Sequence, residues 1–267
     1  MDKTLSRDGT SIAYRRHGDG PPVILVGGAL STAADGATLA ALLAPRFTVV
    51  TYDRRGRGAS GDGGPHTPRL EIDDLAAVAA TAGERVSLFG MLSGGALALE
   101  AQAAGLPVDL LAVYEPPYSP GVDGLLYKSR CSALLHRLLA DGDRGGAVEL
   151  FLSRTGVPEG TIARMRRTPL WSDLEAMAHT LAYDDALLGD GSIPIGRFTA
   201  VTARTLVVTG GSSTQRAWDT TLALAAALPR ARHRALTGQT RDLAPHAIAP
   251  VLLDFFARDS FLRTAAS

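Results

Sequence analysis

The segment that most limits what this chain can fold into is Arg85–Ala101, RVSLFGMLSGGALALEA. Its apolar, partly β-branched run from Val86 to Phe89 predicts a buried strand. Gly90, Gly94 and Gly95 punctuate a turn, and an alanine-rich helical pattern takes over from Ala96. Strand, sharp turn and helix in this order is the setting of a G-x-S-x-G elbow. Its tip residue holds a strained backbone conformation, and only small neighbours let the two backbones pass. With Gly90 and Gly94 in the two glycine places, the tip is Leu92, and Ser93 comes one position late. A leucine has no lone pair with which to attack a carbonyl, so covalent serine chemistry lacks its nucleophile here.

The rest of the chain surrounds that element with a regular alternation. Residues 3–17 predict two short strands about the turn signal Asp8-Gly9. VILVGG and FTVVTYD read as buried strands separated by the helical ATLAALLA, and a helix around Glu71–Thr81 precedes the elbow strand. DLLAVYE follows the elbow helix, and after Pro116-Pro117 the strand rhythm stops. DGLLYKSRCSALLHRLLA, GAVELFL and DLEAMAHTLAYDDALL all favour helix. The alternation then resumes with TLVVTGG, a helix around Trp218–Leu228, the strand HRAL and a last helical stretch, with fraying expected after Arg258. The expected class is therefore α/β: a doubly wound, mostly parallel sheet with an inserted helical cap. The core is 1–115 and 196–267, and the cap is 116–195.

Composition narrows the class of partner. The chain has 267 residues, 46% of them hydrophobic, and no formal net charge, which suits one large core and leaves no basic excess for nucleic acid. Neither a membrane-length apolar run nor a signal pattern stands out. The single Cys131 excludes an intrachain disulfide and, within an apolar helical pattern, reads as a buried thiol in a reducing cytoplasm. No His/Cys/carboxylate set has metal-ligand spacing, and no cofactor motif appears, because the glycine turns do not follow the first strand as a dinucleotide fingerprint does. A small-molecule or peptide-like substrate remains, with neither nucleic acid nor membrane, and a homodimer is left open.

Five segments in order make the chain resemble the α/β-hydrolase fold family over essentially its whole length. They are Gly27-Gly28-Ala29-Leu30, Tyr52–Gly58 (YDRRGRG), Gly90-Met91-Leu92-Ser93-Gly94, Tyr114–Pro117 and Gly238-Gln239-Thr240-Arg241. The resemblance implies that Leu92 occupies the serine position and Arg241 the histidine position, with Gly27 replacing the histidine of the first segment. Ser212-Ser213 stands where many members place the acid, while Glu115 keeps an alternative acid position. It also implies that the backbone amides of Ala29 and Ser93 form an oxyanion hole, with the Ser93 side chain turned away from the pocket to pack or cap. In the YDRRGRG turn it implies that Asp53 bonds local backbone rather than that the arginines bind a phosphate.

For chemistry without the triad, Arg241, Ala29, Ser93 and His179 are the candidate catalytic residues. Gly28, Leu30, Leu92, Glu115, Tyr118 and Tyr183 are candidates for substrate contact. A guanidinium cannot act as a base but can hold an oxyanion or carboxylate; equally, Arg241 can form a structural ion pair with Glu115. The two amides either stabilise a developing oxyanion or persist because the sheet needs their turns. Of six histidines, His17, His66, His136, His233 and His246 read as surface, cap or strand residues. His179 shares a helical face with Tyr183, either toward the pocket mouth or as a hydrogen-bonded cap residue, with Asp184 partly turned away. The expectation is an enzyme that does not hydrolyse: it performs proton transfer, cyclisation, elimination or epimerisation on a small organic or peptide-like biosynthetic intermediate. The alternatives are a ligand-binding or scaffold protein without turnover, and an esterase or lactonase using Ser93 or an activated water.

Overall fold

A computed structural model describes residues 1–119 and 121–264, with residues 258–264 described as backbone only. Eight strands form one sheet in the order β1-β2-β4-β3-β5-β6-β7-β8. The first hairpin, β1 (Asp2–Leu5) and β2 (Ser11–His17), is antiparallel, as is the pairing of β2 with β4 (Thr48–Tyr52). All further pairings are parallel, through β3 (Pro22–Val26), β5 (Val86–Met91), β6 (Val108–Tyr114), β7 (Arg204–Gly210) and β8 (Ala231–Leu236). Central strands covered on both faces have no polar side to present, which is why β4 reads as a continuous run and is buried at every residue. The edge strand β8 instead exposes Arg232 and Arg234, charges that blunt an unpaired edge.

Helices cover both faces. On one side α2 (Pro68–Ala82), α3 (Ser93–Ala103) and α10 (Gln215–Ala227) pack Leu75, Val78, Leu97 and Leu224 against Ile24, Leu88 and Val113. On the other, α1 (Ala37–Leu43) and α11 (Pro245–Thr264) pack Leu39, Leu43, Ile248 and Leu252 against Val49, Phe89 and Ala112. Backbone helix continues to Thr264, past the point where fraying was expected, and 265–267 lie outside the described residues.

Between β6 and β7 the chain makes a helical insertion of α4 (Val122–Ala140), α5 (Arg144–Arg154), α6 (Glu159–Met165), α7 (Pro169–Met177) and α8 (Leu181–Leu188). The short α9 (Ile195–Phe198) follows and returns to the core, burying Phe198 against it. The insertion has its own apolar cluster, with Leu135, Val148, Ile162, Trp171 and Leu181. The helical stretch DLEAMAHTLAYDDALL is broken: a 3₁₀ turn at Ala178–Thr180 separates α7 from α8 and carries His179. Among the described residues, no helix is long and apolar enough to cross a membrane.

Candidate active site

The tip between β5 and α3 is Leu92, at φ 52° and ψ −121°. This is a conformation that costs a β-carbon-bearing residue about 1–3 kcal/mol and persists only where the surroundings enforce it. Here the enforcement is close backbone passage. A β-carbon on Gly90 would stand 2.5 Å from the Gly94 oxygen, and one on Gly94 would collide with the carbonyls of Val26 and Gly27. The loop after β3 therefore lies against the elbow, and a β-carbon on Gly28 would come within 3.4 Å of the Leu92 β-carbon.

Two peptide planes converge at this junction. The Gly28 carbonyl accepts a 2.6 Å bond from Arg57 Nη1 and a second from the Ser31 hydroxyl. A trans peptide points its N–H opposite to its C=O, so the Ala29 amide faces the other way. The Leu92 carbonyl is likewise taken by the amides of Gly95 and Ala96. By the same geometry the Ser93 amide faces away from the helix, as an orphan donor of its first turn. Neither amide has an acceptor among the described residues, and Ala29 and Ser93 both line a cavity of about 840 Å³ between the sheet and the insertion. The Ser93 hydroxyl is buried in the other direction, 3.5 Å from Arg54 Nη1.

Glu115, which follows β6, holds φ 43° and lines the same cavity. Its Oε1 accepts from the Gly210 amide at 2.8 Å and the Ser213 hydroxyl at 2.5 Å, while its Oε2 has no described donor. The anticipated direct pair with Arg241 is not formed: neutral donors hold Glu115, and Arg241 feels it only through space. Burial lowers the pKa of the Arg241 guanidinium, and the fields of Glu115 and Asp242 oppose that loss. Arg241 still reaches the cavity wall, as do Leu92 and Tyr118. At that wall the Tyr118 ring packs edge-on to Phe198, 6.1 Å between centroids, and its buried hydroxyl has no partner.

Four candidates lie off the cavity wall. Gly28 supports the loop through its carbonyl. Leu30 turns into the insertion's apolar cluster rather than toward a ligand. His179 and Tyr183 do share a face, 5.7 Å between ring centroids, but both bond Asp62: Nε2 at 3.0 Å and the phenol at 2.9 Å. Burial and Asp62 push the Tyr183 phenol up to about 12. His66, read as a surface residue, is instead stacked on Tyr183 at 3.9 Å and bonded to Glu71. No histidine lines the cavity among the described residues.

The sequence reading missed what lies beneath the elbow. Asp53 does bond local backbone, accepting from Ala33 and Ala59, but its neighbouring arginines do far more than shape a turn. Arg54 forks onto Glu71, bonds Asp184 at 2.8 Å and reaches the Gly27 carbonyl. Arg57 bonds the other oxygen of Asp184 at 2.7 Å, and Arg55 forks onto Asp74 and reaches Asp8. Asp184 therefore points inward, away from the face that His179 and Tyr183 share, and joins the insertion to the floor of the site. Burial raises the Glu71 pKa, yet the charges of Arg54 and Arg57 and the hydrogen bonds from Arg54 and His66 together outweigh it and hold Glu71 well below the usual range. A clue was available in sequence: three arginines close together, two helical acids (Glu71 and Asp74) soon after, and a pair of aspartates (Asp184-Asp185) in the cap. No group of three metal-binding side chains is assembled among the described residues.

The model of the Alpha/beta hydrolase family matches residues 16–262. An alpha/beta hydrolase from Sphaerobacter thermophilus DSM 20745 is 50% identical over 96% of this chain and 100% of that one, with a TM-score of 0.86. More distant likenesses share the fold. The enol-lactonase from Burkholderia xenovorans LB400 is 20% identical over 96% of this chain and 100% of its own, TM-score 0.67. A thermophilic esterase from Thermogutta terrifontis is also 20% identical, over 100% and 99%, TM-score 0.71.

Proposed function

The chain belongs to the alpha/beta hydrolase family, and from that premise we propose that it is a member whose pocket does not hydrolyse but transfers a proton next to a carbonyl. The observation that carries this reading is the meeting of two unpaired amides, Ala29 and Ser93, beside a tip side chain that cannot attack. Leu92 takes the position in which family members carry serine, and Arg241 takes that of histidine. The serine mechanism then has neither nucleophile nor base.

In the reaction proposed, the substrate carbonyl oxygen lies against the two amides. Glu115 Oε2, the oxygen without a donor, removes a proton from the adjacent carbon. The electron pair of the broken C–H bond moves to the oxygen, and the resulting enolate is held by the amides and by the positive field of Arg241. Return of the proton to the other face or to another carbon yields an epimer or isomer; loss of a β-substituent instead yields an elimination product. Leu92 provides an apolar floor that keeps water from the position of attack.

The test is isotopic. Incubation with enolisable β-keto and α-aryl acids and lactones in D₂O should give deuterium at the α-carbon, with Glu115→Gln slowing exchange by about 10²-fold or more. A fluorophosphonate should leave the protein unlabelled. Labelling at Ser93, or release of acids carrying ¹⁸O from solvent, overturns the reading in favour of an esterase or lactonase. Binding without exchange points to the ligand-binding alternative.

A further inference from the structure

Below the elbow every buried arginine is paired with a carboxylate, Arg54 and Arg57 sharing Asp184, and the buried Lys128 at the cavity pairs with Asp185 at 2.7 Å. Three other cations reach the cavity wall, and no described carboxylate stands within ion-pair distance of Arg154, Arg216 or Arg241. Of the four acids on that wall, Asp184 is satisfied by Arg54 and Arg57, and Asp185 by Lys128. The other two, Glu115 and Asp242, act on Arg241. Arg154 and Arg216 therefore remain as uncompensated charge. Both approach the ring of Tyr127, their guanidinium carbons 6.0 and 5.9 Å from its centroid, and Arg216 is steadied by the Ser119 hydroxyl at 2.5 Å.

We propose that Arg154 and Arg216, gathered over Tyr127, form a binding corner for the anionic group of the substrate, which makes that substrate an organic acid. Two guanidinium forks around one concave space match an oxyanion's donor needs, and the Tyr127 ring over which both lie gathers them at one place. Arg216 is exposed and Arg154 half-buried, so their like charges can be relieved by an anion arriving from solvent. This deepens the reading of the cavity as a substrate site, since it names the handle by which the substrate is held while its carbonyl meets the amides of Ala29 and Ser93.

The corner is tested by fluorescence titration with two probes of nearly the same ring system: 1-anilinonaphthalene-8-sulfonate, which is anionic, and N-phenyl-1-naphthylamine, which is neutral. The unaltered protein should bind the sulfonate with a Kd lower by roughly tenfold or more, the size expected of charge-assisted hydrogen bonds. The double variant Arg154→Met/Arg216→Met should lose that preference while its Kd for the neutral probe stays within about twofold of the original. The same retained binding shows that the variant is folded. Arg232→Met, on the exposed edge strand, should change neither. Equal affinities in the unaltered protein, a preference that survives the double variant, or no saturable binding of either probe overturns the proposal. Because binding is read without turnover, a failed exchange assay with the anion preference intact refutes proton transfer alone. Exchange that proceeds without the preference refutes the corner alone.

Discussion

Two groups of arginines sit on either side of the same turn and obey opposite rules. Beneath the elbow, Arg54, Arg55 and Arg57 are almost wholly buried, and each is bound to carboxylates from α2, the first hairpin or the insertion. Above it, Arg154, Arg216 and Arg241 line a cavity and form no ion pair among the described residues. The lower group consumes its charge inside the protein to fix backbone: Arg57 and Arg54 hold the Gly28 and Gly27 carbonyls and so aim the Ala29 amide. The upper group leaves its charge available. Burial is tolerated in the first case because the counter-charge is built in, and in the second because the cavity wall stays half open to water.

The sharpest way to break this contrast is to remove one lower arginine. Arg54→Met should strand Glu71 and one oxygen of Asp184 and cost about 3–5 kcal/mol in urea unfolding. A loss under about 1 kcal/mol would mean that the network is ornamental. Next in size, Gly90→Ala should lose about 1–3 kcal/mol, because the new β-carbon meets backbone at 2.5 Å rather than a side chain that can swing aside. Acid titration sharpens the lower group further. The Thr10 amide, helped by Arg55, lowers the Asp8 pKa from its ordinary value to about 2. Its stabilisation is complete above the unfolded value and is lost as pH falls through about 2. Asp8→Asn should therefore flatten the stability profile between about pH 4 and 2, and an unchanged slope there would remove Asp8 from the network. The smallest effect belongs to the upper group: Arg154→Met should alter stability by no more than about 0.5 kcal/mol. A large loss would show that the charge is already spent within the fold.

What could be read in the sequence follows the same division. The mostly parallel sheet, the hairpin at Asp8-Gly9, the insertion after β6 and the Leu92 tip were legible because apolar periodicity and glycine placement are local signals. The ion network was not, because Arg54 and Arg57 meet Asp184 across 130 and 127 residues, and a charge pattern does not announce its partner. The pairing of His179 with Tyr183 was sound as spacing. Its direction was not, since only the loop carrying Asp62 decides which way that face turns. Tyr118 lies at the wall, and its edge-on contact with Phe198 is one that the proline-rich sequence around it does not reveal.

Asp184 has a mechanical consequence as well. One residue of α8 grips two arginines rooted in the turn after β4, so swinging that helix outward exposes three charges at once in an apolar setting. The insertion is thus riveted at α8. Lys128 of α4 grips Asp185 of α8, so the segment beside Tyr127 is fastened to that rivet as well.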